Sequence, residues 1–150
     1  MGNVSGNIAA YSITKQHVSP SADLPSSSMR HIFKPSTDFG LAIGATPTAA
    51  EKIIYVASGT ATILGFHGLV NADGSSASIT MDLKKNGVSI LSAPISITNS
   101  TGDRTPVDGV LTSVTLAADD VLSAVLAVSS STGMQGPFAW AAIEEVSVAE

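Results

Sequence analysis

A chain of 150 residues suits one domain, or one domain with a long extension. Only 13% of it is charged and it has no cysteine, which excludes a disulfide framework and any thiolate metal site. The net charge of −5 is uneven: residues 1–50 carry Lys15, Arg30 and Lys34 against Asp23 and Asp38, while 51–150 carry four basic and ten acidic side chains. An acidic half and a sparsely basic one exclude nucleic acid as a partner, because phosphate neutralisation needs clustered Lys and Arg. The charge deficit, with abundant Ser, Thr and Ala, points to surface that is covered in an assembly.

Met1–Gly6 lacks the basic and apolar regions of a signal peptide, and Gly6 stands where a myristoylation site needs Ser or Thr. No apolar stretch approaches the roughly 20 residues of a membrane span. Asn3-Val-Ser5 and Asn99-Ser-Thr101 are glycosylation sequons in form only. Synthesis in the cytoplasm is the expectation.

Residues 1–50 read as an extended N-terminal arm. Ser19-Pro20-Ser21, Pro25-Ser-Ser-Ser28 and Lys34-Pro35-Ser36 are extended or turn signals. Composition fits a disordered tail. The short apolar patches Ile8–Tyr11, Met29–Phe33 and Phe39–Ile43 favour a segment that lies across neighbours instead. Fifty extended residues reach about 165 Å.

Residues 51–150 read as a β-domain. Lys52–Ala57 is rich in β-branched residues. Thr60–Val70 puts Leu64, Phe66 and Val70 on one face and Ile63, His67 and Leu69 on the other, with Gly65 and Gly68 as bulges or close approaches. Asp73-Gly74 predicts a hairpin turn. Ala77, Ile79, Met81 and Leu83 alternate with polar residues as in a half-buried strand, and Asn86-Gly87 is the strongest hairpin signal. The apolar phase changes at Ile90-Leu91, which predicts a bulge, and Pro94 puts the following strand at an edge. After a polar loop over Asn99–Asp108, Val110–Leu116 and Val121–Ser129 read as strands. Asp119 leaves a short helix open over 121–128, but the valines favour β. Ser129–Gly133 reads as a loop and Phe138–Val148 as a closing strand. The expected fold is all-β: an antiparallel β-sandwich or jelly roll of seven or eight strands behind an N-terminal arm.

No catalytic set emerges. His17, His31 and His67 are scattered, and His67, without a nearby acidic residue in sequence, reads as a satisfied core or interface histidine. There is no nucleophile elbow and no phosphate-binding glycine motif. Asp119-Asp120 is the best local cation candidate, yet a solvated turn explains it equally well. Glu144 and Glu145 point to opposite faces of a strand and cannot flank one glycosidic bond. The expectation is a non-enzyme without metal or cofactor.

Ile79-Thr-Met-Asp-Leu-Lys-Lys-Asn-Gly-Val-Ser-Ile-Leu91 resembles virion proteins of tailed bacteriophages, in which an apolar strand, Asp-Leu, a Lys-Asn-Gly turn and a Ser-Ile-Leu strand follow one another. Leu116-x-x-x-Asp120-Val-Leu122 and Ser131-Thr-Gly133 are similar to later parts of that pattern, although Asp119-Asp120 stands where the turn often reads Gly-Asp. The resemblance covers about residues 55–145 and fits decoration proteins, head fibres and tail-fibre domains alike. Small size, an arm and the absence of repeats select the capsid decoration (cement) protein. The resemblance then implies a homotrimer on the outer capsid surface of the virion that bridges major capsid protein subunits and stabilises the shell. Tyr11, Ile32, Phe33, Phe39 and Leu41 are the candidate arm contacts, and Phe66, Phe138 and Trp140 the candidate trimer interface. The alternative is a carbohydrate- or receptor-binding module of a phage fibre or head fibre, using Trp140 and the 99–108 loop.

Overall fold

The computed structural model describes residues 31–145. Among them there is no helix and nine strands form one antiparallel sheet that curls into a sandwich: β1 (His31–Phe33), β2 (Ser36–Thr37), β3 (Ala50–Val56), β4 (Ala61–Lys85), β5 (Val88–Ser89), β6 (Ile95–Thr98), β7 (Val107–Gly109), β8 (Thr115–Leu116) and β9 (Val121–Glu145). Two of these dominate. β4 and β9 are 25 residues each and pair antiparallel from Ala61↔Glu145 to Lys85↔Leu122.

A straight strand of that length would span about 80 Å, far beyond any core that 150 residues can build. The ribbon therefore folds. Its register shifts between Asp73 and Ser76, where Gly74 (φ 75°) faces Gly133 (φ 74°). On one side of the bend, residues 61–72 of β4 and 135–145 of β9 are flanked by β8 and β7 on the β4 edge and by β1 and β2 on the β9 edge. On the other side, residues 76–85 and 121–132 are flanked by β5 and β6 and by β3.

The two layers pack through their inner faces. Ile63, Phe66, Val70, Ala139, Ala141 and Ile143 come from the first layer, and Ile79, Met81, Leu83, Leu122, Ala124 and Leu126 from the second, all buried. Contact is tight enough that a Cβ on Gly68 would lie 2.5 Å from Met81 Sδ. At the sandwich edge, Tyr55 of β3 donates a hydrogen bond to Glu145 Oε1 at the end of β9, tying one layer to the other.

Several expectations hold. Residues 77–83 alternate as read, with the odd-numbered ones buried, and Asn86-Gly87 (φ 51° and 82°) closes the β4–β5 hairpin with Lys85 opposite Val88. Asn86 also accepts from the Val121 amide at 2.8 Å and donates to Asp120 Oδ1 at 2.6 Å, fixing the tip to the start of β9. Residues 121–128 are strand, not helix, because Asp119 (φ 68°) turns the chain and Asp120 Oδ2 accepts from the Ala117 amide.

Others are corrected. Asp73-Gly74 does not reverse the chain, and Ser129–Gly133 is strand rather than loop, since the two glycines meet as a bend inside paired strands. Val110–Leu116 shrinks to β8 and one bridge, Leu91↔Leu111. Ile90 and Leu91 are both buried beyond the end of β5, where the chain leaves the strand and needs no bulge to change face. Phe66 and Val70 do face inward together, but Leu64 is exposed and Ile63 buried, because a register shift between Ile63 and Gly65 changes the parity.

The bend predicts a sharp sensitivity. A Cβ on Gly74 would collide with the Thr132 carbonyl and stand 2.6 Å from the Met134 amide. Gly74→Ala should cost about 2–4 kcal/mol in urea unfolding. Gly87→Ala, with a similar φ but nothing within 4 Å, should cost only about 1 kcal/mol. Equal costs would show that backbone conformation alone, not the crossing of the two strands, sets the need for glycine.

The Tyr55–Glu145 tie predicts an alkaline limit. Burial first, then the hydrogen bond and charge of Glu145, push the Tyr55 phenol from its ordinary 10.0 up to about 12. A folded-state pKa raised in this way contributes stability that is complete below pH 10 and lost as pH climbs towards 12. Melting temperature should fall over that window in the native protein, and Tyr55→Phe should remove this part of the fall. An unchanged alkaline profile in the variant would refute the tie.

Candidate functional site

The outer face of the first layer carries a row of side chains that four strands bring into register. Asp108 of β7 stands opposite His67 of β4, His67 opposite Trp140 of β9, and Trp140 opposite Ser36 of β2. His67 Nδ1 lies 2.7 Å from Asp108 Oδ1, so this nitrogen donates to the carboxylate. The imidazole stacks on the Trp140 indole, with centroids 4.9 Å apart and planes 22° from parallel. Two residues along each strand, Leu69 stands opposite Phe138 on the same face. The Phe138 ring is 6.0 Å from the indole. Small inward neighbours make the platform possible: Gly68, Ala139 and Ala141 take little depth, so β4 and β9 lie close over the core.

Two adjoining depressions flank this platform and share Leu69 and Phe138. One, of about 380 Å³, is bordered also by Lys34, Ser36 and Trp140. The other, of about 390 Å³, lies between the 38–43 loop, Asn71, Arg104 and Gly136-Pro137. Its loop wall is tightly placed. Asp38 Oδ1 accepts from the Gly40 amide, and Gly136 donates to the Ala45 carbonyl at 2.9 Å. Phe39, at φ 59°, turns into the core beneath the loop. A side chain at 136 would collide with the Ile43 carbonyl.

The far wall comes from the 99–106 loop. Asp103 Oδ1 accepts from the Asp73 amide, and Asp73 Oδ2 from the Gly102 amide. Arg104 sits at φ 53°, donates its amide to the Val70 carbonyl at 2.8 Å and its Nε to Asn71 Oδ1 at 3.0 Å. A left-handed non-glycine residue at the rim of a groove is the kind of local strain that concentrates at binding sites. The groove thus offers an aromatic floor, hydroxyl and amide partners in Ser36 and Asn71, a carboxylate in Asp38 and cationic groups at both ends.

The residues singled out from the sequence are dispersed. Phe66 is fully buried in the domain's own core, opposite Ala141, while Phe138 and Trp140 lie on the other face of the same layer. Strand parity separates them, so these three do not form one trimer surface. Of the arm residues, Tyr11 lies outside the described residues. Ile32 and Phe33 are exposed on β1, and Leu41 is half-buried in the loop wall of the larger depression. Phe39 is core and unavailable to a neighbour. His67 is satisfied, as read, but on the outer face and by Asp108, a partner that only the β4–β7 pairing supplies. Arg104 carried no signal of its own beyond the polarity of the 99–108 loop, and Asn71, within β4, carried none. Among the described residues, no three His, Cys, Asp or Glu side chains converge as a metal would require.

No protein-family model and no curated protein matches this chain. Two solved structures are similar to it in fold. One is the C-terminal domain of EclA, a sugar-binding protein, at 13% identity over 75% of this chain and 78% of that one, with a TM-score of 0.37. The other is the carbohydrate-binding module CBM36 in complex with calcium and xylotriose, at 22% identity over 83% of this chain and 98% of that one, with a TM-score of 0.33.

Proposed function

We propose that this protein is a non-catalytic carbohydrate-binding β-sandwich that takes a glycan chain across the outer face of the β7–β4–β9–β2 layer. The observation that carries the reading is the Trp140 platform, stacked on His67 and flanked by Phe138, between two adjoining depressions. Sugar rings present C–H faces that pack on aromatic rings and hydroxyl edges that need donors and acceptors. The groove has both, with Ser36, Asn71 and Asp38 at its walls. His67 acts as a brace: held by Asp108, it backs the indole. Titration calorimetry against soluble polysaccharides tests this. Trp140→Ala should weaken binding at least tenfold, about 1.4 kcal/mol, while Ile53→Ala, on exposed β3, should leave it unchanged. Binding that ignores the Trp140 change would sink the reading.

A second reading, the trimeric capsid decoration protein that bridges major capsid subunits on the virion surface, is favoured by one observation. Ile32 and Phe33 are exposed on β1, where the first thirty residues join the sandwich. Apolar side chains there suit a neighbour's surface better than water. Light scattering on the full chain decides it: a mass near three times 15.1 kDa supports this reading and a monomer at high concentration counts against it.

A further inference from the structure

Five lysines and arginines lie among the described residues: Lys34, Lys52, Lys84, Lys85 and Arg104. Lys84 pairs with Glu51 at 3.3 Å and Lys85 with Asp120 at 3.6 Å, both remote from the groove. Lys34, Lys52 and Arg104 form no ion pair with a described carboxylate. Two of these three line the groove: Lys34 borders the depression beside Trp140 and Arg104 the one beyond Phe138. The protein carries a net charge of −5, so a basic surface in general does not explain the placement.

Arg104 is also held in place rather than left to sample solvent. Its backbone is pinned to Val70 and its Nε to Asn71, and its terminal guanidinium nitrogens make no hydrogen bond among the described residues. A planar guanidinium fixed through Nε presents those nitrogens as a fork that matches a carboxylate. Asp38, on the opposite wall, is engaged with the Gly40 amide and lies beyond ion-pair distance of Arg104, so it leaves the fork open and serves as a hydroxyl acceptor. Asp108 faces His67 at the other end of the row.

We infer that the glycan taken by this groove is acidic: a polysaccharide containing uronic acids, with one carboxylate received by Arg104, another drawn to Lys34, and a sugar face on Trp140 between them. The inference rests on the carbohydrate-binding reading and names its substrate class. The probes are polygalacturonate, alginate and hyaluronan, each beside its methyl-esterified counterpart, which keeps the backbone and removes the charge. At least one acid form should bind about tenfold more tightly than its ester, and the margin should shrink as salt is raised. Arg104→Gln should remove most of that margin and Lys34→Gln about threefold of it. Arg104→Lys, which keeps the charge but not the fork, should fall between. Thermal melts check that the 99–106 loop variants fold, and Lys34→Gln lies outside that loop. Equal affinity for acid and ester, or binding confined to neutral glycans, overturns the acidic class and leaves carbohydrate binding standing. Binding to no polysaccharide overturns both.

Discussion

The crossing of Gly74 and Gly133 governs the rest of the molecule. Two strands of 25 residues cannot stay straight in a domain of this size, and a bend in one of them alone would break the ladder between them. Both must kink at the same level, each with a positive φ and each without a side chain in the other's path. Once they do, the ribbon's two halves face one another and bury Phe66, Ile63, Ile79, Met81 and Leu126 between them. Hydrophobic burial then supplies the driving force, at about 25 cal/mol per Å² of apolar surface, but the glycine crossing decides which surfaces are brought together.

The outer face follows from the same geometry. With Phe66 and Ala141 fixed inward, strand alternation puts His67 and Trp140 outward, and the long pairing of β4 with β9 puts them opposite each other. The short strands complete the row: β7 brings Asp108 to His67 and β2 brings Ser36 to Trp140. A one-residue slip of β9 would send Trp140 into the core and Ala141 to the surface, so the core's register requirement also fixes the platform.

Local pattern was legible wherever it was self-sufficient. The alternation from Ala77 to Leu83 and the Asn86-Gly87 turn each carry their structure within a few residues, and both appear as read. Asp73-Gly74 looked like a hairpin because a positive-φ glycine beside Asp ordinarily reverses a chain. Whether it reverses or merely bends depends on Gly133, which lies on another strand and has no local signature. The faces of Ile63 and Leu64 were lost for a related reason: the shift between Ile63 and Gly65 changes parity within a run that reads as continuous. Trp140 and the 99–108 loop were visible as a candidate pair. Their link through Leu69 and Phe138, the His67–Asp108 contact and the strained Arg104 all depend on pairings between distant segments.

The groove is built to bind with little ordering cost. Trp140 and His67 restrict each other by stacking, and Asp108 fixes the imidazole. Asn71 and Val70 hold Arg104, and Gly136 seats the 38–45 loop. Each immobilised side chain avoids an entropic cost of about 0.5–1.5 kcal/mol on association. Lys34 differs: its long side chain has no ion-pair partner among the described residues and must lose rotamer freedom to meet a ligand. Affinity and selectivity in this groove should therefore come chiefly from the rigid Trp140–Arg104 side, with Lys34 adding charge more than geometry. The division follows the fold, since Trp140 sits in a long central strand and the Arg104 loop is anchored to another, while Lys34 stands between the two short strands β1 and β2.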